Sequence, residues 1–195
     1  MVKQTWKTHS MVVSHLKENF TAELQPGGTM MAITGNWTSR IIEKGSDPFG
    51  MGWWLFVVLR GKDNITILII TGYRVCSQTK MASGPKTSTL QQFRSLSQSF
   101  WDSEFWTDPI PRLQFIRDLQ AWIEVRMREG HEIILTIDAN EGLKESGTYR
   151  PLDYSLEQPI KSKGHDGSLS TLVRSCGIVD PLVQHHRDTP PPTYI

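Results

Sequence analysis

The chain has 195 residues, a length typical of one domain, and its 38% hydrophobic and 21% charged residues exclude a wholly disordered protein. Its 21 Lys and Arg residues against 20 Asp and Glu residues give a net charge of +1, which excludes a strongly basic surface as the basis of nucleic-acid binding. The two cysteines, Cys76 and Cys176, exclude a disulfide framework and a four-cysteine zinc site, and we expect both to be buried free thiols.

The first half of the chain is predicted to contain short strands separated by turns. Apolar residues in Trp6–Leu24 recur at a spacing that suits an amphipathic helix or an irregular packed segment. A turn over Gln25–Thr29 precedes a strand over Met30–Thr34. Gly35 and Asn36 then signal a turn before a second strand near Thr38–Glu43.

Two apolar runs are predicted to form the centre of a sheet. Trp53–Leu59 is a continuous apolar run of strand length, and a turn over Gly61–Asn64 joins it to Ile65–Thr71. Because Ile65–Thr71 is rich in β-branched residues, we expect this strand to be buried on both faces. The longest apolar runs are far shorter than the roughly 20 residues of a membrane span, and no apolar signal peptide precedes them. The sequence therefore predicts an intracellular protein without a membrane segment.

The second half of the chain is predicted to contain helices around one further strand. Apolar residues recur at helical spacing in three segments: Ser88–Trp101, Arg112–Glu129 and Ser168–Cys176. Pro109 and Pro111 mark the start of the second helix, with Asp108 as a candidate cap. Gly130 ends that helix, and Glu132–Ile137 is predicted to be a short buried strand. This order predicts a mixed α/β layered domain.

Polar side chains follow two of the predicted buried strands. Asp138 and Asn140 come directly after Glu132–Ile137, and residues two apart in an extended chain point to the same side. A carboxylate there can activate a water or bind a metal, and an amide can donate a hydrogen bond to a phosphate. The alternative is a purely structural role, because Asp and Asn are also common turn residues after strands. Tyr73 follows the strand Ile65–Thr71, where its phenol can donate to a phosphate or simply close the core.

Five segments resemble, in order, the endonuclease/exonuclease/phosphatase superfamily, whose fold DNase I, abasic-site endonucleases and LINE-type retroelement endonucleases share. They are GGTMMAIT, GWWLFVVLRGKDNITILIITGYRVC, EIILTIDAN with its preceding helix, DGSLSTLVRSCGIVD and TPPPTYI. QPGGT and TGYRVC resemble the retroelement branch most. The resemblance implies a DNase I-like layered α/β sandwich. It also implies that residues 1–195 form a single partial domain, expected to lack edge strands at both termini.

The resemblance also implies an activity, which is phosphodiester hydrolysis in nucleic acid, most of all DNA, assisted by Mg²⁺ or Mn²⁺. In that mechanism Asp138 would orient and activate the attacking water, and Asn140 and Tyr73 would bind phosphate oxygens in the transition state.

Three departures from the family pattern bear on activity. Ile137 replaces the Gly that precedes the family's Asp. The family's metal-binding Glu, an earlier Asn, a later Asp and the final Asp-His pair have no match. His185 and His186 precede the Thr-aromatic segment, so they do not match the family's His. The acidic residues that could replace the missing Glu lack its motif context: Glu18, Glu23 and Glu43. The sequence therefore predicts a nuclease that is weak or inactive, and the alternative is a non-catalytic remnant or binding protein that retains the fold.

Overall fold

The computed structural model describes residues 9–14, 28–76, 88–101, 110–140 and 168–179. The strands are β1 (His9–Ser14), β2 (Thr29–Thr34), β3 (Ile41–Ser46), β4 (Trp54–Arg60), β5 (Thr66–Tyr73) and β6 (His131–Asp138). The helices are α1 (Ser88–Trp101), α2 (Pro111–Arg128) and α3 (Leu169–Ser175), and a 3₁₀ helix over Gly35–Arg40 joins β2 to β3. The mixed α/β content that the sequence predicts is confirmed.

The described strands form two sheets. β1 and β2 pair antiparallel, with His9 opposite Thr34 and Ser14 opposite Thr29. The larger sheet has the order β3-β4-β5-β6, in which β5 and β6 are parallel and the other pairs are antiparallel. Since parallel neighbours need a long crossover, α1 and α2 lie between β5 and β6 in the chain.

Strand β4 lies between two cores. Successive side chains of a strand point to opposite faces, so Leu55, Val57 and Leu59 contact Val12 and Ile33 of the smaller sheet. The alternate residues Trp54, Phe56 and Val58 face the helices, where they pack with α2 and α3. All six are buried, which explains why this strand is a continuous apolar run.

The helix-side core is built on aromatic rings and one buried polar contact. The rings of Trp53 and Trp54 meet Phe115 of α2 edge to face, with centroid distances of 5.8 and 6.1 Å. The indole Nε1 of Trp53 donates to Oε1 of Gln92 on α1 at 2.8 Å, and both side chains are buried. This hydrogen bond satisfies the indole N–H and links α1 to the start of β4.

Arg126 joins the end of α2 to the sheet. Its guanidinium lies 5.0 Å from the ring centroids of both Phe56 and Trp122. It also donates to both carboxylate oxygens of Glu43 on β3, at 2.6 and 3.1 Å, and to Glu129 at 3.1 Å. Burial lowers the pKa of Arg126, but the hydrogen bonds and charges of Glu43 and Glu129 outweigh it, so the net pKa is raised. The guanidinium thus stays charged and in contact with two planar rings and two carboxylates.

Most predicted elements are present, with boundaries one or two residues from those expected. The helix over Ser88–Trp101 is confirmed at both ends, and Pro111 begins α2 at its first turn, as predicted. Ser168 caps α3, because its Oγ accepts a hydrogen bond from the backbone N–H of Thr171 at 3.2 Å. Asp108, the candidate cap of α2, lies outside the described residues, and Ile110 occupies the cap position.

Two predictions for the first half of the chain are wrong. The described part of Trp6–Leu24 is a strand rather than a helix or an irregular segment, since pairing with β2 buries Val12 and exposes Val13. The strand predicted near Thr38–Glu43 begins only at Ile41. The preceding residues form the 3₁₀ helix because the hydroxyl of Thr38 bonds the carbonyl of Gly35 at 2.8 Å, and Ser39 bonds Asn36 in the same way.

The predicted burial of β5 and β6 is also wrong. Buried and half-buried residues alternate along β5, whereas exposed and half-buried residues alternate along β6, where Ile134 is 49% exposed. The helices cover one face of both strands, and the smaller sheet lies over β3, β4 and part of β5. The described residues therefore leave the other face of β6 open. No helix in the described ranges is long and apolar enough to cross a membrane.

Candidate functional site

Tyr73 and Asp138 are neighbours at one end of the larger sheet. They are the last residues of the parallel strands β5 and β6, and the strand register pairs them directly. Both belong to the alternate set of residues that faces away from the helices, so their side chains emerge on the same face. The carboxyl ends of neighbouring strands are the usual position of ligand sites in layered α/β proteins. The sequence places Tyr73 and Asp138 just beyond their strands; they are instead the last residues of those strands, and the structure brings them together.

Asn140 joins this pair through a tight turn. Its backbone has a φ of +49°, in the left-handed region that Asn tolerates better than most residues. The turn is closed by a hydrogen bond from the backbone N–H of Asn140 to Oδ1 of Asp138 at 3.3 Å. Ala139, between them, is buried. The buried alanine and the turn fix both polar side chains at the strand end.

The side chain of Asn140 is held by the segment that follows β5. Its Nδ2 donates to the carbonyl of Arg74 at 2.6 Å, and its Oδ1 accepts from the thiol of Cys76 at 3.2 Å. The backbone N–H of Arg74 in turn donates to the carbonyl of Asp138 at 2.9 Å. The two strand ends are therefore connected by main-chain and side-chain hydrogen bonds.

The pKa of the Tyr73 phenol is raised above its ordinary value of 10.0. Burial is the largest cause, followed by the nearby charges of Cys76 and Asp138 and a hydrogen bond with Cys76, while a hydrogen bond with Asn140 opposes them. A raised pKa keeps the phenol protonated at neutral pH, because the neutral form is the protonated one. Tyr73 is therefore a hydrogen-bond donor there.

Two arginines connect the segment that follows β5 to the start of α2. Nε of Arg74 donates to the backbone carbonyl of Arg112 in the first turn of α2 at 3.2 Å. The guanidinium of Arg112 donates through Nη1 to the carbonyl of Val75. Both Arg74 and Val75 are buried. These reciprocal contacts attach the segment after β5 to the start of α2.

Sequence reasoning missed Cys76 as a member of the site. It was expected to be buried, but it is exposed and contacts Asn140, whereas Cys176 is buried as predicted. Cys76 lies in a segment without strand or helix periodicity, so hydrophobic pattern carries no signal for its exposure. Its position three residues after Tyr73, on a strand whose end was already a candidate site, is the one signal available in the sequence.

The Ile137 departure leaves the site intact. β6 continues regularly through Ile137, which lies opposite Gly72 and packs its side chain on the helix-side core. A Cβ atom at Gly72 would lie 3.4 Å from Cγ1 of Ile137 and 3.5 Å from the Trp53 carbonyl oxygen. These are ordinary van der Waals distances, so Ile137 packs beside Gly72 without a clash.

The structure also decides the role of Glu43. Its carboxylate binds Arg126 near the end of α2, where the chain turns to enter β6, and Tyr73 and Asp138 lie at the other end of the sheet. Glu43 is therefore paired with Arg126, away from the strand ends that hold Tyr73 and Asp138. The other candidates lie outside the described residues: Glu18, Glu23, His185 and His186.

The described side chains do not by themselves form a metal site. Among residues 9–14, 28–76, 88–101, 110–140 and 168–179, no group of three or more His, Cys, Asp or Glu side chains is placed to hold a metal ion. Mg²⁺ prefers near-octahedral oxygen coordination, usually from one or two carboxylates together with waters and substrate phosphates. Asp138 contributes one exposed carboxylate.

Comparison with known proteins returned no match: no family model, curated protein or solved structure matches this chain.

Proposed function

We propose that this chain belongs to the DNase I-like lineage and that its function is divalent-metal-dependent hydrolysis of phosphodiester bonds in nucleic acid. The observation that carries the proposal is the meeting of Tyr73, Asp138 and Asn140 at the ends of two parallel strands. The fold is consistent with this lineage, because a second sheet packs on one face of the main sheet and helices cover the other.

Asp138 is the group suited to orient and deprotonate a water. Its side chain is exposed, and the described hydrogen bond to it uses only Oδ1, from the backbone of Asn140. That bond restrains the carboxylate through Oδ1. A positioned carboxylate contributes about 10²–10⁴-fold to a hydrolysis as a general base.

Asn140 and Tyr73 are suited to bind the phosphate oxygens. Nδ2 of Asn140 gives one of its two hydrogens to the Arg74 carbonyl, and the Asn140 side chain also has a hydrogen bond with Tyr73, so we propose that the amide and the phenol bind a phosphate together. The phenol of Tyr73 is protonated at neutral pH, and burial raises its pKa further from that range. Donors fixed before the reaction stabilise negative charge as it develops on the phosphate, without reorganising.

A net charge of +1 is compatible with this substrate. Fixed donors recognise one phosphate by geometry, so the site does not need an extended basic surface. A divalent ion would add charge neutralisation at the scissile phosphate. Because the described residues provide only Asp138 toward such an ion, we expect weak activity, as the sequence predicts.

The test is nicking of supercoiled plasmid DNA by the whole chain. Wild type is assayed with Mg²⁺, with Mn²⁺ and with a chelator, alongside Asp138→Asn, Asn140→Ala and Tyr73→Phe. The matched control is Asp63→Asn, since Asp63 is an exposed aspartate in the β4–β5 turn at the opposite end of the sheet. We expect Asp138→Asn to lose about 100-fold or more and Asp63→Asn to retain wild-type nicking.

The outcomes separate the proposal from its alternative. Metal-dependent nicking that falls only in the site variants supports a phosphodiesterase. Equal nicking by wild type and Asp138→Asn refutes catalysis by this site. Binding of labelled DNA without any cleavage, measured by fluorescence anisotropy at two salt concentrations, refutes the enzyme and favours a binding protein that retains the fold.

A further inference from the structure

The orientation of the Asn140 amide is determined by two contacts from the segment after β5. The carbonyl of Arg74 can only accept a hydrogen bond, so the amide must present Nδ2 to it, at 2.6 Å. The opposite orientation would place two acceptor oxygens against each other. With Nδ2 fixed in this way, Oδ1 faces Sγ of Cys76 at 3.2 Å, and the thiol donates to it.

We propose that Cys76 is a positioning residue for the candidate active site, acting through the side chain of Asn140. The proposal rests on the proposed function, in which the Asn140 amide binds a phosphate together with the Tyr73 phenol. Since the Arg74 carbonyl contacts only one end of the amide, the amide plane can still rotate about that bond. The thiol holds the other end and so fixes where the second N–H points.

The surroundings of Cys76 are rigid enough for this role. The carbonyl of Cys76 accepts from the hydroxyl of Thr89 in the first turn of α1 at 3.1 Å. The guanidinium of Arg112 binds the carbonyl of Val75, the preceding residue. The carbonyls of Val75 and Cys76 are therefore held by the starts of two helices, which restrains the backbone that carries the thiol.

The two cysteines differ in a way that makes the proposal testable with a thiol reagent. Cys76 is exposed, whereas Cys176 is buried in the helix-side core. Burial, with a smaller contribution from the charge of Glu124, raises the pKa of the Cys176 thiol to about 11. Because the thiolate is the reactive form, N-ethylmaleimide should modify Cys76 and leave Cys176 intact.

The first experiment measures the Asn140 amide directly. In a ¹⁵N-labelled protein the side-chain NH₂ resonances of Asn140 are identified by their loss in Asn140→Ala. We expect these resonances to shift and to exchange faster with water in Cys76→Ala. Cys76→Ser keeps a donor and should restore slow exchange, and Cys176→Ala is the matched control that should leave them in place. Unchanged Asn140 resonances in Cys76→Ala would overturn the proposal, whatever the nicking activity.

The second experiment is a double-mutant cycle on plasmid nicking. Loss of one neutral hydrogen bond corresponds to about 2–10-fold, so we expect kcat to fall by that factor in Cys76→Ala, with KM nearly constant, and to recover in Cys76→Ser. In the Asn140→Ala background, Cys76→Ala should have no further effect. N-ethylmaleimide should inactivate wild type and Cys176→Ala but not Cys76→Ser. An equal loss in both backgrounds would overturn the proposal, because the thiol would then act independently of Asn140.

The two experiments distinguish the two proposals. If wild type does not nick DNA but the Asn140 resonances depend on the thiol, the proposed function fails and the positioning by Cys76 stands. If wild type nicks DNA and the resonances do not depend on the thiol, the reverse holds.

Discussion

Asp118 on α2 is predicted to reduce stability at neutral pH, and replacing it with asparagine tests this. Burial is the main cause that raises the pKa of its carboxyl from 3.8 to about 6; the charge of Asp47 adds to it, while Gln114 and Arg117 oppose it. Nε2 of Gln114 donates to Oδ1 of Asp118 at 2.8 Å, and asparagine keeps an oxygen at that position. Asp118→Asn therefore removes the charge and preserves the contact.

The nearby charge belongs to a carboxylate that the fold requires. Asp47 is buried and accepts hydrogen bonds from the backbone N–H groups of Met51 and Trp53, at 2.9 and 3.1 Å, and from the hydroxyl of Ser14 at 3.3 Å. These contacts order the loop between β3 and β4. Because Asp47 is committed to that loop, the repulsion between the two carboxylates is best relieved at Asp118.

The magnitude follows from the shift in pKa. A rise from 3.8 to about 6 corresponds to about 3 kcal/mol for a fully buried group. Asp118 is only partly buried, so solvent screening reduces the expected gain for Asp118→Asn to roughly 1 kcal/mol. Since the folded-state pKa is raised, the stability that the protonated carboxyl contributes is fully present below pH 3.8 and is lost as the pH rises through about 6.

The assay is urea unfolding of wild type and Asp118→Asn at several pH values. At pH about 7.5 the variant should be more stable by the full roughly 1 kcal/mol, and at pH about 4.5 by about a third of that. Measurement near pH 3.5 is the internal control, since both proteins then have a neutral side chain at this position. A difference that does not change with pH, or that grows toward low pH, would refute the reasoning.

Three further predictions concern contacts that join the elements. Arg126→Lys should lower the free energy of unfolding by about 1–2 kcal/mol in urea titration. Lysine cannot make the bidentate contact with Glu43 or stack a planar guanidinium on the rings of Phe56 and Trp122. An equal loss in a Glu43→Gln background would contradict this prediction. Trp53→Phe should cost about 1–3 kcal/mol, since it leaves the buried Oε1 of Gln92 without its donor; an unchanged thermal midpoint would count against this. Ser168→Ala should cost about 1 kcal/mol through loss of the α3 cap, with Ser168→Asp close to wild type by circular dichroism melting.

The elements that the sequence predicts best are those whose pattern and packing agree. β4 is a continuous apolar run because it lies between two cores, and α2 has apolar residues at helical spacing because one side of it packs on the sheet. In both, the residues that form the element locally are the residues that the tertiary structure buries. Their predicted boundaries differ by only a residue or two from those observed.

The elements that the sequence predicts poorly depend on distant partners or on side-chain hydroxyls. Met11 and Val12 fit a helical spacing with residues further along the chain, but pairing of β1 with β2 determines the strand. Thr38 is β-branched and favours a strand. The hydroxyls of Thr38 and Ser39 nevertheless donate to the carbonyls of Gly35 and Asn36, and these hydrogen bonds close the 3₁₀ helix. Local propensity is overridden in both places by contacts that periodicity does not contain.

The candidate site could be predicted in part, and the reason lies in the pairing of β5 with β6. The sequence predicts a strand before each of Tyr73 and Asp138. Whether those two strands are neighbours depends on the crossover formed by α1 and α2. Cys76 could not be predicted, because it follows the end of β5 where no pattern constrains exposure.

The Ile137 departure shows which property of the site the fold preserves. Asp138 stays opposite Tyr73 because the strand register, and not a glycine before the carboxylate, determines its position. A Cβ atom at Gly72 would lie at van der Waals distance from Cγ1 of Ile137, at 3.4 Å, so the isoleucine side chain is accommodated beside the neighbouring strand. The phosphate-binding geometry that we propose therefore depends on the register of β5 with β6 and not on a glycine before the carboxylate.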